Sequence, residues 1–273
     1  MTDLRIAHSL LIATVLAICG KPAHAEGTIS SPEDRSRETR QYVLDIGVGA
    51  KLKPRYPGAD TYLVYPFPII AVGRFYIPGL GQVANGAKVK RGFYFYPSFG
   101  FIGERKASDS PDLTGTNTID WALELGVGAG YRYDWLRGFV ELRQGINGHT
   151  GQVADFGIDF IFNPTDRLEI FFGPRASWAS DSYMNTYFSV TAAEASAPGA
   201  VLSPYDASAG FESAGLAARA SYAWSENTTL HLQAGWDRLI GDAAKSPIVK
   251  AGSENQFTVL GGVSYRFAFD IFR

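Results

Sequence analysis

The sequence predicts an all-β fold, a closed antiparallel transmembrane β-barrel of about ten to twelve strands behind a cleaved leader. Three observations predict it: apolar residues recurring at every second position over barrel-length segments, aromatic residues clustered at the ends of those segments, and no long apolar run after the first 25 residues. The composition agrees, since 30 glycines and 14% aromatics among 273 residues suit strands and turns.

Residues 1–25 read as a signal peptide. Arg5 supplies the positive charge, Leu10 to Ile18 a short apolar core, and Ala23-His24-Ala25 a small-x-small cleavage pattern, so the mature chain is expected to start near Glu26 after cleavage near Ala25. The single cysteine, Cys19, lies in this leader, and the mature chain can then form no internal disulfide. A lipid-modified Cys19 is the rival reading, opposed by the bulky Ile18 before it. Residues 26–40 are polar and densely charged, which predicts a flexible periplasmic tail, and residues 41–273 form the outer-membrane barrel domain.

The strands follow in order. In Tyr42–Leu52 the even positions are apolar, whereas the odd ones include Asp45 and Lys51. Tyr62–Val72 is a weaker strand containing Pro66 and Pro68, and Phe93, Phe95, Phe99 and Phe101 mark another. Trp121–Tyr133 places Leu123, Leu125, Val127 and Tyr131 on one face, with Glu124, three glycines and Arg132 on the other. Leu136–Ile146, Ala154–Phe162, Leu168–Trp178, Ala214–Trp224, Leu230–Trp236 and Phe257–Phe267 repeat the pattern. A soluble sandwich also alternates, but its strands average about 5–6 residues, and it has no need of the aromatic clusters Tyr131/Tyr133/Trp135, Tyr222/Trp224 and Tyr265/Phe267. An open edge in hydrocarbon would leave backbone groups unpaired, so the sheet is expected to close.

Short turns at 134–135, 163–165 and 225–227 alternate with longer connections at 104–117, about 180–212 and 241–254. Barrels of this type keep their short turns periplasmic, which puts the long loops outside. The stretch 75–91 is either a periplasmic passage or a further hairpin, and a short hairpin within 183–211 is an option.

The inward positions carry both signs of charge. Asp45, Glu124, Glu141, Asp155, Asp159, Glu169 and Asp237 stand against Lys51, Arg132, Arg137, Arg143, Arg175, Arg219 and Arg266. Enclosed charges need partners, so the expectation is an ion-pair lattice across the lumen; a selective pore would line its constriction with one sign. Removing residues 1–25 leaves 23 Lys+Arg against 26 Asp+Glu, a formal −3, which argues against a nucleic-acid partner. No metal motif or cofactor loop is present, and the alternating Gly126, Gly128 and Gly130 precede no helix. The one catalytic hypothesis pairs His231 with Ser221 or Ser264. An inward histidine bonded to an acid such as Asp237 is the commoner arrangement, so no catalytic residue is assigned.

Particular segments resemble a known family. SYMNTYFSVT (182–191), YDASAG (205–210), GDAAKSPIV (241–249) and NQF (255–257), with PRYPGAD (54–60) and ELRQGINGHTGQ (141–152), are similar in order and spacing to the MltA-interacting protein (MipA)/OmpV family of outer-membrane proteins. Within them Tyr183, Tyr187, Phe188, Tyr205, Asp206, Gly241, Asp242, Ser246 and Pro247 are the motif-loop residues. The resemblance implies a non-enzymatic scaffold in outer-membrane lipid, joining a lytic transglycosylase to a penicillin-binding protein; alternatives are a narrow channel or solute-binding barrel, or a surface adhesin. Turn lengths place the motif loops outside, whereas murein enzymes are periplasmic. Either the loops fold inward as a plug, or their role is structural, packing over the barrel mouth, or the topology is reversed; packing over the mouth is the preferred reading. One departure is that Ala268–Arg273 follow Tyr265-Arg266-Phe267, where such barrels usually end.

Overall fold

The computed structural model describes residues 42–77, 81–83 and 91–271. The expected leader and the 26–40 segment lie outside the described residues. Eleven strands form one antiparallel sheet: β1 (Tyr42–Pro54), β2 (Tyr62–Ile77), β3 (Gly81–Val83), β4 (Arg91–Ile102), β5 (Ala122–Tyr133), β6 (Leu136–Asn147), β7 (Gln152–Thr165), β8 (Leu168–Ala179), β9 (Gly210–Ala223), β10 (Thr228–Leu239) and β11 (Asn255–Phe269). Their order is β3-β2-β1-β11-β10-β9-β8-β7-β6-β5-β4. All consecutive strands except β3 and β4 are neighbours in the sheet, and the first long strand pairs with the last, Tyr42 opposite Phe269 and Leu52 opposite Val259.

The expected closure is corrected by this order. The sheet is an open, strongly curled half-barrel, with β3 at one end and β4 at the other and no ladder joining β2 to β4 among the described residues. Closure was argued from the cost of unpaired edges in hydrocarbon, but the two strands that would have to meet are poor partners. The β1–β2 ladder runs unbroken through Pro68 and Pro66, and the β4–β5 ladder through Pro97. An unbroken ladder leaves the missing proline donors on the far edge of each strand, the edge a closing ladder would use. Interior strands show how such a gap is repaired. Pro174 lies within β8, where the ladder to β7 is interrupted between Arg175 and Phe172, and the Arg175 guanidinium donates to the Ile158 carbonyl at 3.0 Å.

The stretch 75–91 forms a hairpin as far as described, β2 running on to Ile77 and pairing with β3. The option of a hairpin within 183–211 is overturned. That segment holds two helices, α1 (Asp181–Phe188) and α2 (Ala192–Ala195), and a single bridge between Val190 and Tyr205. Two further short helices, α3 (Gly241–Lys245) and α4 (Pro247–Ala251), lie in the β10–β11 connection. Among the described residues no helix is long and apolar enough to cross a membrane, which says nothing of strands.

The convex face is apolar and exposed. Val48, Val127, Leu142, Ile158, Leu232 and Val259 occupy its middle. Aromatics flank them, Phe101, Trp121, Phe211 and Phe257 toward the loops, and Phe93, Tyr131, Trp135, Trp224 and Tyr265 toward the short turns. Cross-strand contacts tie these belts together, as where Phe93 meets Tyr131 edge-on at 4.8 Å and Trp121 stacks on Phe101 at 6.4 Å. A soluble protein rarely exposes a contiguous apolar patch of more than a few hundred Å², whereas lipid requires one between two aromatic girdles.

Candidate functional site

The concave face gathers the predicted charges into three groups. The largest is centred on Arg143 of β6. Its guanidinium reaches Glu124 of β5 (2.8 Å), Glu141 of its own strand (2.9 Å) and Asp155 of β7 (2.7 Å), all of them buried. Glu141 and Asp155 stand directly opposite each other, a like-charge pair that would be destabilising if no cation were shared between them. Ser98 donates to Glu141 at 2.6 Å, Tyr96 to the same carboxylate at 3.1 Å, and Ser177 donates to Asp155.

The second group is centred on Asp159, fully buried and held by Arg137 and Arg175. These cations also lie over aromatic faces, Arg137 4.8 Å from the Phe171 ring and Arg175 5.2 Å from Phe139, and Arg219 lies 4.2 Å from the same Phe171 ring. Arg132 faces Arg137 across the β5–β6 ladder and turns to Glu169 at 3.4 Å. The third group is a fork across the first and last strands, where Arg266 donates to both oxygens of Asp45 at 2.7 and 2.9 Å. Lys51 lies 5.7 Å from the Phe67 ring, and both Lys51 and Asp237 line a cavity of about 310 Å³ at the loop end of the concave face.

Above that cavity the long connections pack into a cap. Tyr183, Met184, Tyr187 and Phe188 of α1 are buried against Ile119, Val153, Ala207, Leu239, Ala243 and Val249. A second cluster joins Tyr56, Ala59, Leu113, Val190, Leu202 and Ile248. The motif-loop residues interlock through main-chain groups. Ser246 donates to the Phe188 carbonyl at 2.6 Å and accepts from the Ile248 amide, which caps α4 behind Pro247. The Tyr205 hydroxyl donates to the Asp242 carbonyl (2.9 Å), and the Asp242 carboxylate accepts from the Ser208 amide (3.2 Å). Gly241 turns into α3 with φ 58°, a conformation that glycine adopts freely, while Asp206 remains exposed. Gly58 of the first loop has φ 91° and lies so close to Val249 that a side chain there would collide with it.

Several residues of this assembly had not been singled out. Arg105 is buried and donates to the Tyr187 carbonyl at 2.9 Å, at the C-terminal end of α1 where carbonyls lack helical partners. Burial pulls its pKa below the usual guanidinium value, and Glu194 and other neighbours push it back up. Burial raises the Tyr187 phenol well above its usual range, as does Glu124. Glu194 lies below the ordinary carboxylate range: burial raises it, but the Asn117 and Thr191 amides, which it accepts at 2.8 and 2.9 Å, outweigh that. His149 is buried between Glu124, 3.3 Å from its Nε2, and the rings of Tyr183 and Tyr187, and its Nδ1 accepts from the Gly151 amide at 3.2 Å. Tyr96 and Ser98 were legible from alternation with the outward phenylalanines of β4. Arg105 sits in a loop without period and left no signal, whereas the one signal for His149 is its place in the family segment 141–152.

His231 of β10 lies between two serines, with Nε2 2.8 Å from Ser264 Oγ and Nδ1 3.5 Å from Ser221 Oγ. With a serine on each ring nitrogen, no hydrogen-bonded acid orients the imidazole as a catalytic base requires. The Asp237 partnership considered from the sequence is not among its hydrogen bonds. Among the described residues no group of three or more His, Cys, Asp or Glu side chains could hold a metal ion.

The arrangement of cap and sheet accompanies a match to a known family. The family model described as MltA-interacting protein MipA matches residues 46–267, nearly all of the described chain. The chain belongs to the MipA/OmpV family. As a MipA/OmpV protein it is an outer-membrane protein with a general structural role, in keeping with its apolar convex face. No curated protein matches it. Among solved structures it is similar to Neisserial surface protein A at 13% identity, covering 84% of this chain and 96% of that one with a TM-score of 0.29. It is also similar to the outer membrane protein OprG from Pseudomonas aeruginosa at 11% identity, covering 84% and 97%, with a TM-score of 0.25. Both superpose poorly on the MipA/OmpV chain.

Proposed function

We propose that this MipA/OmpV protein is a non-enzymatic outer-membrane scaffold that holds murein-remodelling enzymes, a lytic transglycosylase and a penicillin-binding protein, at the membrane. The observation that carries this reading is the division of labour between the two ends of the sheet. Motif residues from the connections after β1, β8 and β10 are spent on one another in the cap, and Arg137, Arg143, Arg175 and Arg266 of the concave face are spent on ion pairs. In this reading partners on the periplasmic side meet the exposed turn residues at the opposite end, Asp134-Trp135, Asp166-Arg167 and Ser225-Glu226. The family's description as MltA-interacting supports the class of partner. The ion-pair groups serve this role as a lattice that keeps the anchor rigid, and the mature anchor begins after cleavage near Ala25, with residues 26–40 as an additional partner-facing segment.

Affinity capture from envelope extracts tests the proposal, with the mature protein in detergent as bait and an unrelated outer-membrane barrel as control. Enrichment of lytic transglycosylases, lost when the turn residues Asp166, Arg167 and Glu226 are replaced by serine, is the expected result. Equal recovery on both baits removes the scaffold role. N-terminal sequencing of the envelope form checks the cleavage position.

A further inference from the structure

The cavity of about 310 Å³ beneath the cap has a floor of short residues. Gly235 of β10 stands opposite Ala217 of β9 on one side and Thr258 of β11 on the other, and all three border the cavity. Inward glycines elsewhere are covered, Gly128 by the Tyr96 ring, Gly157 by the Phe139 ring and Gly126 by the Leu142 carbonyl. A Cβ at Gly235 would meet nothing closer than 3.9 Å. The empty space over this floor is therefore set by residue size along three adjacent strands.

The same floor carries hydrogen-bonding groups that the protein does not use. Gln233, two residues from Gly235 on the same face of β10, Thr258, and Ser213, which extends the surface toward the cap, border the cavity. Among the described residues none of their side chains makes a hydrogen bond, although Ser213 is only 6% exposed. Such a group is costly to leave unpaired. Other polar side chains of the concave face are spent: Ser98 and Tyr96 on Glu141, Ser177 on Asp155, and Ser264 on His231. Charged groups at the border are engaged as well, Arg143 with Glu124 and Asp155, and Arg175 with Asp159. At the rim, the buried Glu212 is 3.4 Å from the Tyr183 hydroxyl.

A charged ligand would have to draw one of these ions from its partner, whereas a neutral one rich in hydroxyls bonds to the unused groups without that cost. A carboxamide and two hydroxyls both donate and accept, which matches sugar hydroxyls. We propose that this cavity binds an uncharged monosaccharide, or one ring of a longer neutral sugar, seated over Gly235 and Ala217 and hydrogen-bonded to Gln233 and Thr258. Size agrees. The volume holds roughly ten waters at about 30 Å³ each, close to the non-hydrogen atoms of a single sugar ring. The cavity also borders the edge strand β4, so it lies beside the open side of the sheet.

The test is ligand-observed NMR titration of the mature protein in a sugar-free detergent. Its probes are glucose, galactose and mannose, with glucosamine, galactosamine, glucuronate and galacturonate as charged counterparts. At least one neutral sugar should bind saturably, and its charged counterparts at least tenfold more weakly. Gly235→Val, which grows into the open space, should abolish binding without changing the urea unfolding midpoint. Thr258→Val and Gln233→Leu should each weaken binding at least fivefold. Absence of saturable binding by every neutral sugar, equal or tighter binding of a charged counterpart, or undiminished binding by Gly235→Val overturns the proposal. Should Gly235→Val fail to fold, Thr258→Val, which keeps the side-chain shape, decides in its place. None of these readouts involves an enzyme partner, so the site and the scaffold role fail separately.

Discussion

Replacing Arg143 with methionine removes the cation shared by Glu124, Glu141 and Asp155 while keeping an unbranched side chain of similar reach. Breaking one buried ion pair by deleting a partner costs about 3–5 kcal/mol. Here three carboxylates lose the same cation, but the cost does not triple, because a stranded carboxyl can take up a proton instead. Protonating one at pH 8 from a reference value near 4.3 costs roughly 5 kcal/mol at about 1.36 kcal/mol per pH unit. The deficit is therefore expected to be about 5 kcal/mol at pH 8, of the same order as the whole stability of many domains. At pH 5 the same protonation costs only about 1 kcal/mol, so most of the deficit should return. Urea unfolding in micelles, followed by tryptophan fluorescence at both pH values, measures this. A deficit below about 1 kcal/mol at pH 8, or one that does not shrink on acidification, would refute the account of Arg143 as the shared counter-charge.

Three further outcomes follow from contacts elsewhere. A side chain at Gly126 would run into the Leu142 carbonyl and the Arg143 main chain, whereas one at Gly261 meets nothing within 4 Å; Gly126→Ala should cost about 1–3 kcal/mol in the same unfolding assay and Gly261→Ala less than about 0.5 kcal/mol. Ser246→Ala removes the α4 cap and the bond to Phe188, and hydrogen exchange at the Ile248 amide should report a loss of about 1–2 kcal/mol. Glu194 has a folded pKa below its unfolded one, so its contribution is fully present above the unfolded carboxylate value near 4.3 and is lost as pH falls through the lower folded value. Limited proteolysis of the 189–204 connection should accelerate over that acid window in the wild type and show no such window in Glu194→Gln.

Strand positions were legible because a sheet with one apolar face writes its period directly into the chain. Observed strands extend the expected ones by a few residues, as where Ala154–Phe162 becomes Gln152–Thr165 and Leu230–Trp236 becomes Thr228–Leu239. The inward charges followed from the same phase. Which charge meets which did not, because that depends on register between strands: Arg143 serves Glu124 and Asp155 only because β5 and β7 flank β6 at those offsets. Glu212 escaped detection because the β8–β9 register shifts beside Ser177/Trp178, which breaks the alternation near the start of β9.

Alternation, strand length and aromatic ends determined by themselves that this chain is a membrane-facing antiparallel sheet, and its motif segments determined its family. Only the tertiary structure decided whether the sheet closes, because closure depends on how far the whole sheet curls to bring its two edges together, and those edges carry Pro66, Pro68 and Pro97 where a closing ladder needs donors. It alone decided, too, that motif segments far apart in sequence interlock as one cap. Local periodicity is a property of neighbours in the chain, while a buried contact such as Arg105 to Tyr187 or Ser246 to Phe188 joins loops whose meeting is set by the curl of the whole sheet.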